Sequence, residues 1–160
     1  LTQHFGSGLR IFLSDGILFH SGDAPIVCKR YLSKWWMTAI ESCWKGDIEK
    51  GLFVMCRVDG KEYKTLPLGI CYLAAALRKN EYCCDILDGN LDFPAIDEMV
   101  DKAVNYDMVG ISSNTLNFSN AVKIAESIKS ISDIPILLGG HHATFEHEYI
   151  INYYSKTFLP

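Results

Sequence analysis

Residues 51 to 160 are predicted to fold as a parallel, doubly wound α/β domain. Two observations carry this: short apolar runs alternate with helical patterns, and the runs are continuously apolar. Strands of that composition belong to sheets covered by helices on both faces. Gly51 to Val58 reads as the first strand, followed by a helix over Leu66 to Lys79 with Leu66, Ile70, Leu73, Ala74 and Leu77 on one face. Tyr82 to Leu87 is the second strand. Pro94 to Asn105 is the second helix, opened by a proline whose fixed φ suits a first turn. Met108 to Ser112 is the third strand, and Ser119 to Ser130 the third helix, with Val122, Ala125, Ile128 and Lys129 in phase. Pro135 to Leu138 is the fourth strand and Glu146 to Tyr154 a fourth helix. The order is flavodoxin-like, a Rossmann-like three-layer sandwich. The usual fifth strand is not found before Pro160, so the sheet is expected to lack its last member.

Residues 1 to 50 break this rhythm and read as an accessory extension of the 51–160 domain. Arg10 to Ser14 and Ile17 to Ser21 flank Asp15-Gly16, a strong hairpin signal. Lys29 to Trp44 then reads as an aromatic helix carrying Tyr31, Trp35, Trp36 and Trp44, a face expected to lie against the domain or a neighbour.

The totals exclude several function classes. At 160 residues, 49% hydrophobic and 21% charged with a net charge of −4, the chain is globular rather than disordered. Lysines and arginines are scattered, whereas nucleic-acid binding wants them clustered, so no nucleic-acid partner is expected. The longest apolar runs, such as Ile134 to Leu138, fall far short of the roughly 20 residues a membrane span needs. The first residues lack a basic segment followed by an apolar stretch, so no signal peptide is expected. Of the six cysteines, four sit inside apolar patterns where a free thiol serves as a small hydrophobe, which points to a reducing cytoplasm.

Ligands of such sheets sit beyond the carboxyl ends of the strands. After the third strand, Gly110-Ile-Ser-Ser-Asn-Thr115 offers the hydroxyls and amide of Ser112, Ser113, Asn114 and Thr115. The plainer reading is that they turn the chain and cap the next helix. After the fourth strand, Leu138-Gly-Gly-His-His-Ala-Thr-Phe145 brings Gly139 and Gly140, which allow close backbone approach. Together the two loops predict a narrow slot for a planar group. The first loop, Asp59 to Gly69, is long enough to reach over a ligand and ends in Leu66-Pro-Leu-Gly69.

Pro67-Leu-Gly-Ile-Cys-Tyr-Leu-Ala-Ala-Ala-Leu77, Asp88, Val109-Gly-Ile-Ser112 and Leu138-Gly-Gly-His-His-Ala-Thr144 resemble the N-terminal cobalamin-binding domain of B12-dependent radical SAM enzymes, over about residues 51 to 154. The general pattern is Asp-x-His-x-x-Gly, about 41 residues, Ser-x-Leu, about 26 to 28 residues, then Gly-Gly. With Gly69 and Ser112 as its glycine and serine, 42 residues intervene, and 26 separate Ser112 from Gly139. The register puts Lys64 at the motif's Asp and Leu66 at its cobalt-ligating His.

The resemblance implies cobalamin bound without a protein imidazole, its dimethylbenzimidazole tail detached and buried, with Leu66 crowding the lower axial position and easing methyl loss from the upper face. It further implies that Leu66, Pro67 and Gly69 contact the cofactor, that Ser112 to Thr115 and Gly139-Gly140 line the tail pocket, and that His141 or His142 bonds the nucleotide phosphate or ribose. The implied role is the corrinoid-binding module of a methyltransferase-type enzyme that moves a methyl group between S-adenosylmethionine and a substrate. A [4Fe-4S] cluster in such enzymes needs Cys-x-x-x-Cys-x-x-Cys, and this chain has no such triplet. S-adenosylmethionine and the cluster would therefore belong to a radical SAM domain in cis or in trans, and no catalytic residue is assigned here. His141, His142 and His147 raise a metal site, but no carboxylate or cysteine at ligand spacing completes the set, so none is assigned. The rival classes are a non-catalytic flavodoxin-like interaction or receiver module and a flavin- or nucleotide-binding module. A receiver needs an aspartate near Ser112, and no Gly-x-Gly-x-x-Gly follows the first strand.

Overall fold

The computed structural model describes residues 9–13, 16–21, 24–29, 49–60, 66–91 and 94–154. Seven strands among them form one sheet. They are β1 (Leu9–Leu13), β2 (Gly16–Ser21), β3 (Ala24–Lys29), β4 (Lys50–Met55), β5 (Cys83–Asp88), β6 (Met108–Ser112) and β7 (Ile136–Gly139). The helices are α1 (Leu68–Lys79), α2 (Ile96–Ala103), α3 (Phe118–Ile131), α4 (His141–Phe145) and α5 (His147–Tyr154). The sheet order is β3-β2-β1-β7-β6-β4-β5. β5, β4, β6 and β7 run parallel, as the βα rhythm requires, and the flavodoxin-like winding is present.

β1 pairs with β7 in parallel, Leu9 opposite Ile136 and Ile11 opposite Leu138, along the edge where a last strand was expected to be missing. The hairpin predicted around Asp15-Gly16 is β1 and β2, antiparallel, but shifted by one residue, since Gly16, expected in the turn, opens β2 opposite Leu13. A third strand, β3, extends it. The helix expected over Lys29 to Trp44 lies outside the described residues, apart from Lys29, which ends β3.

Each strand of the parallel core sends alternate side chains to opposite faces. Leu52, Val54, Val109, Ile111, Ile136 and Leu138 face α2, α3 and the α4–α5 segment in one fully buried cluster. Phe53, Met108 and Leu137 face the other way and meet Ile70, Ala74 and Leu77 of α1. α1 begins at Leu68 rather than Leu66 because Pro67 stands before it, and the residue ahead of a proline is driven out of the helical region.

Cys56, Cys71, Cys83 and Cys84 are free thiols. Burial pushes the Cys56 thiol up to about 12 and that of Cys84 to about 11, so both stay protonated and inert. Cys83, by contrast, is exposed. Among the described residues no helix is long and apolar enough to cross a membrane.

Candidate functional site

β4 has β5 on one side and β6 on the other, so the winding reverses there, the point at which sheets of this kind take their ligands. β4 was expected to run to Val58, yet it ends at Met55. The cause is a set of buried amides that take the next three residues' backbone groups. Asn117, 0% exposed, donates from Nδ2 to the Cys56 carbonyl at 2.6 Å and accepts the Asn114 N–H on Oδ1 at 2.7 Å. Asn120 Nδ2 donates to the Arg57 carbonyl at 3.2 Å, and the Val58 N–H donates to Asn90 Oδ1 at 3.3 Å. Asp88 Oδ1 holds Asn90 in turn, accepting its N–H at 2.9 Å and its Nδ2 at 3.2 Å.

Buried polar groups are costly unless paired, so these bonds hold the root of the β4–α1 loop against the turn after β6. Sequence reasoning missed Asn90, Asn117 and Asn120. Their signal was present as polar residues beside Phe118 at the head of an apolar-phased helix, and as Asn90 just after a strand.

Ser112 lies directly opposite Gly139 in the β6–β7 ladder. Beyond that rung the two loops touch. The Ser113 N–H donates to the Gly139 carbonyl at 3.0 Å and the His142 N–H to the Ser113 carbonyl at 3.4 Å. Gly140 has φ +93°, and a Cβ there would stand 2.8 Å from the Ser113 nitrogen, so only glycine fits. The expected slot thus does not open between the two loops. Strand alternation instead turns Gly110, Ser112 and Gly139 to the α1 face, where they make a strip of small residues. Ser113 points the opposite way, 2% exposed, its Oγ buried with no hydrogen-bond partner among the described residues.

Asn114 fulfils the plainer role, its Oδ1 accepting the Leu116 and Asn117 N–H groups in a turn ahead of α3. Thr115 is exposed, with Oγ1 3.3 Å from His142 Nδ1. The His142 ring lies over Phe118, centroids 4.1 Å apart, and its Nε2 is buried without a partner among the described residues. Burial lowers its pKa below the ordinary value, and Glu146 opposes that shift. The structure therefore ties His142 to the α3 side, whereas His141 is exposed at the start of α4.

Leu66 is 69% exposed ahead of α1, and the Pro67 carbonyl accepts the Cys71 N–H at 3.0 Å. A Cβ added at Gly69 would meet nothing within 4 Å, so the protein's own packing does not require glycine there. Lys64 lies outside the described residues.

The sequence profile of the B12 binding domain matches residues 58–158, and so spans the β4–α1 loop, the serine turn and the Gly-Gly segment together. The chain belongs to the B12-binding domain family. No curated protein and no solved structure gives a significant match. Membership of the B12-binding domain family supports cobalamin as the ligand. The residues present fit that group: Ser112 and Gly139 form one small rung at the carboxyl end of the sheet, and Gly69 leaves open room at the head of α1.

Proposed function

We propose that residues 51 to 160 form a unit holding cobalamin base-off, with the nucleotide tail over the Ser112–Gly139 rung and Leu66 beneath the corrin. The unit serves a radical SAM methyltransferase-type enzyme whose cluster and S-adenosylmethionine sit on a domain in cis or in trans. The observation that carries the reading is the direct pairing of Ser112 with Gly139 on the α1 face, because residues with 26 others between them in sequence become one rung there. When bound, cobalamin supplies a cobalt that carries a methyl group. The chain's own residues bind and orient it. The Ser112 hydroxyl offers a hydrogen bond to the tail, and Gly139 beside it admits a flat ring close to the backbone. Leu66 has no lone pair to donate and offers only aliphatic surface. The amides of Asn117 and Asn120 fix the root of the loop that carries it. Free thiols at Cys56, Cys71, Cys83 and Cys84 fit a reducing cytoplasm.

The test is to mix the chain with hydroxocobalamin, desalt it and record the visible spectrum. Retained pigment with a spectrum displaced from that of free cobalamin is expected. After reduction to Co(II), electron paramagnetic resonance should lack the extra splitting that an axial nitrogen imposes. Colourless protein after desalting overturns cobalamin binding. Retained colour with nitrogen splitting overturns the base-off mode alone.

A further inference from the structure

We propose that Phe53 forms the floor of the slot for the cobalamin nucleotide base, and that Gly110 is glycine so that the Phe53 ring can lie there. This rests on the tail placement proposed above and adds the residues that set its depth and its preference for a planar aromatic base.

Two successive rungs cross the α1 face. Nearer the carboxyl ends, Met55, Ser112 and Gly139 stand in register. One step below come Phe53, Gly110 and Leu137. The upper rung is small on two of its three strands. The lower rung is large, bare and large. A Cβ built on Gly110 would fall 2.5 Å from Phe53 Cε1, so the ring lies across the backbone of the middle strand rather than beside it. Phe53 is 7% exposed and shares its cluster with Ile70, Met108 and Leu137. Glycine inside a strand weakens it, and its use there marks a place where something must approach the backbone closely. Here the approaching group is an aromatic ring one rung beneath the Ser112–Gly139 pair. A flat heteroaromatic base entering over that pair reaches the Phe53 ring, and aromatic contacts favour a ring over an aliphatic end group.

The experiment compares cobalamin with cobinamide, which has the same corrin and cobalt but no nucleotide, by equilibrium binding to the wild-type chain, Gly110→Ala, Phe53→Leu and the double variant. An alanine methyl at position 110 pushes the Phe53 ring up into the slot. Gly110→Ala is therefore expected to weaken cobalamin binding about tenfold, using the conversion of 1.4 kcal/mol per decade, and to leave cobinamide unchanged. Phe53→Leu alone, a milder change, is expected to cost cobalamin about two- to tenfold, the size of an aromatic contact, and to spare cobinamide. In the double variant the smaller leucine makes room for the methyl, so cobalamin affinity rises above that of Gly110→Ala.

If Gly110→Ala does not fold, Phe53→Leu still decides, since it must separate the two corrinoids by itself. Equal effects on both corrinoids, or none on cobalamin, overturn the floor. A wild-type chain that binds cobinamide as tightly as cobalamin overturns the tail placement, and one that binds neither overturns the proposed function.

Discussion

The two faces of the parallel sheet are built from the same strands and are chemically unlike. Toward α2, α3, α4 and α5, the rungs are Leu52, Val54, Val109, Ile111, Ile136 and Leu138, all fully buried aliphatics. Toward α1, the same strands place Gly51, Gly110, Ser112 and Gly139 among Phe53, Met108 and Leu137. A repeat of two residues along each strand thus separates the packing that stabilises the fold from the surface proposed to receive the ligand. Substitutions on the first face should register as stability, and substitutions on the second as binding.

The largest effect expected of that division is on the aliphatic face. Ile124, on α3, is fully buried in that cluster. Ile124→Ala should cost about 2 to 5 kcal/mol in urea unfolding, while protein still folded binds cobalamin with unchanged affinity. Equal damage to affinity would break the division between the faces.

Gly69→Ala should move the two properties in opposite directions. Alanine is the better helix former by about 1 kcal/mol and meets no protein atom there, so denaturant unfolding should show a gain of up to that size. Cobalamin affinity, measured by titration, should fall, because the methyl enters room that the proposed site gives to the cofactor. A gain in stability with full affinity would remove Gly69 from the site.

The smallest effect is expected of His142, at the junction of the serine turn and α4. Its folded pKa is lowered by burial, so the unfolded chain binds the proton more readily, and stability falls as pH drops through the unfolded value of about 6.5. His142→Phe keeps a ring against Phe118 and removes the titration. Thermal unfolding from pH 7 down to pH 5 should therefore decline less steeply in the variant, and identical slopes would show that His142 does not contribute.

Local pattern made much of the fold legible. Met108 to Ser112 is a strand with the predicted ends, since a helix closes before it and a serine-rich turn follows. β3 escaped prediction because Pro25 sits inside it, and a proline is compatible only with an edge. α4 escaped because five residues are too few for a helical repeat to show. The end of β4 was misplaced for a different reason, since its apolar run continues to Val58 while Asn117, Asn120 and Asn90 reach it from more than thirty residues away. The motif residues of the candidate site were legible by spacing, but their directions were not. Alternation sets Ser112 and Ser113 on opposite faces, but nothing local says which of them takes the α1 face, or that His142 turns onto Phe118.

The hairpin beside β7 has a consequence for how molecules of this protein meet one another. A bare β7 would present a row of amide and carbonyl groups to any passing strand. With β1 to β3 added, the sheet instead ends in a strand containing Pro25, which has no amide hydrogen to offer, and at its other margin in β5, where the charged Asp85 is exposed. Among the described residues both margins are poor templates for a further strand, which disfavours growth of the sheet from copy to copy.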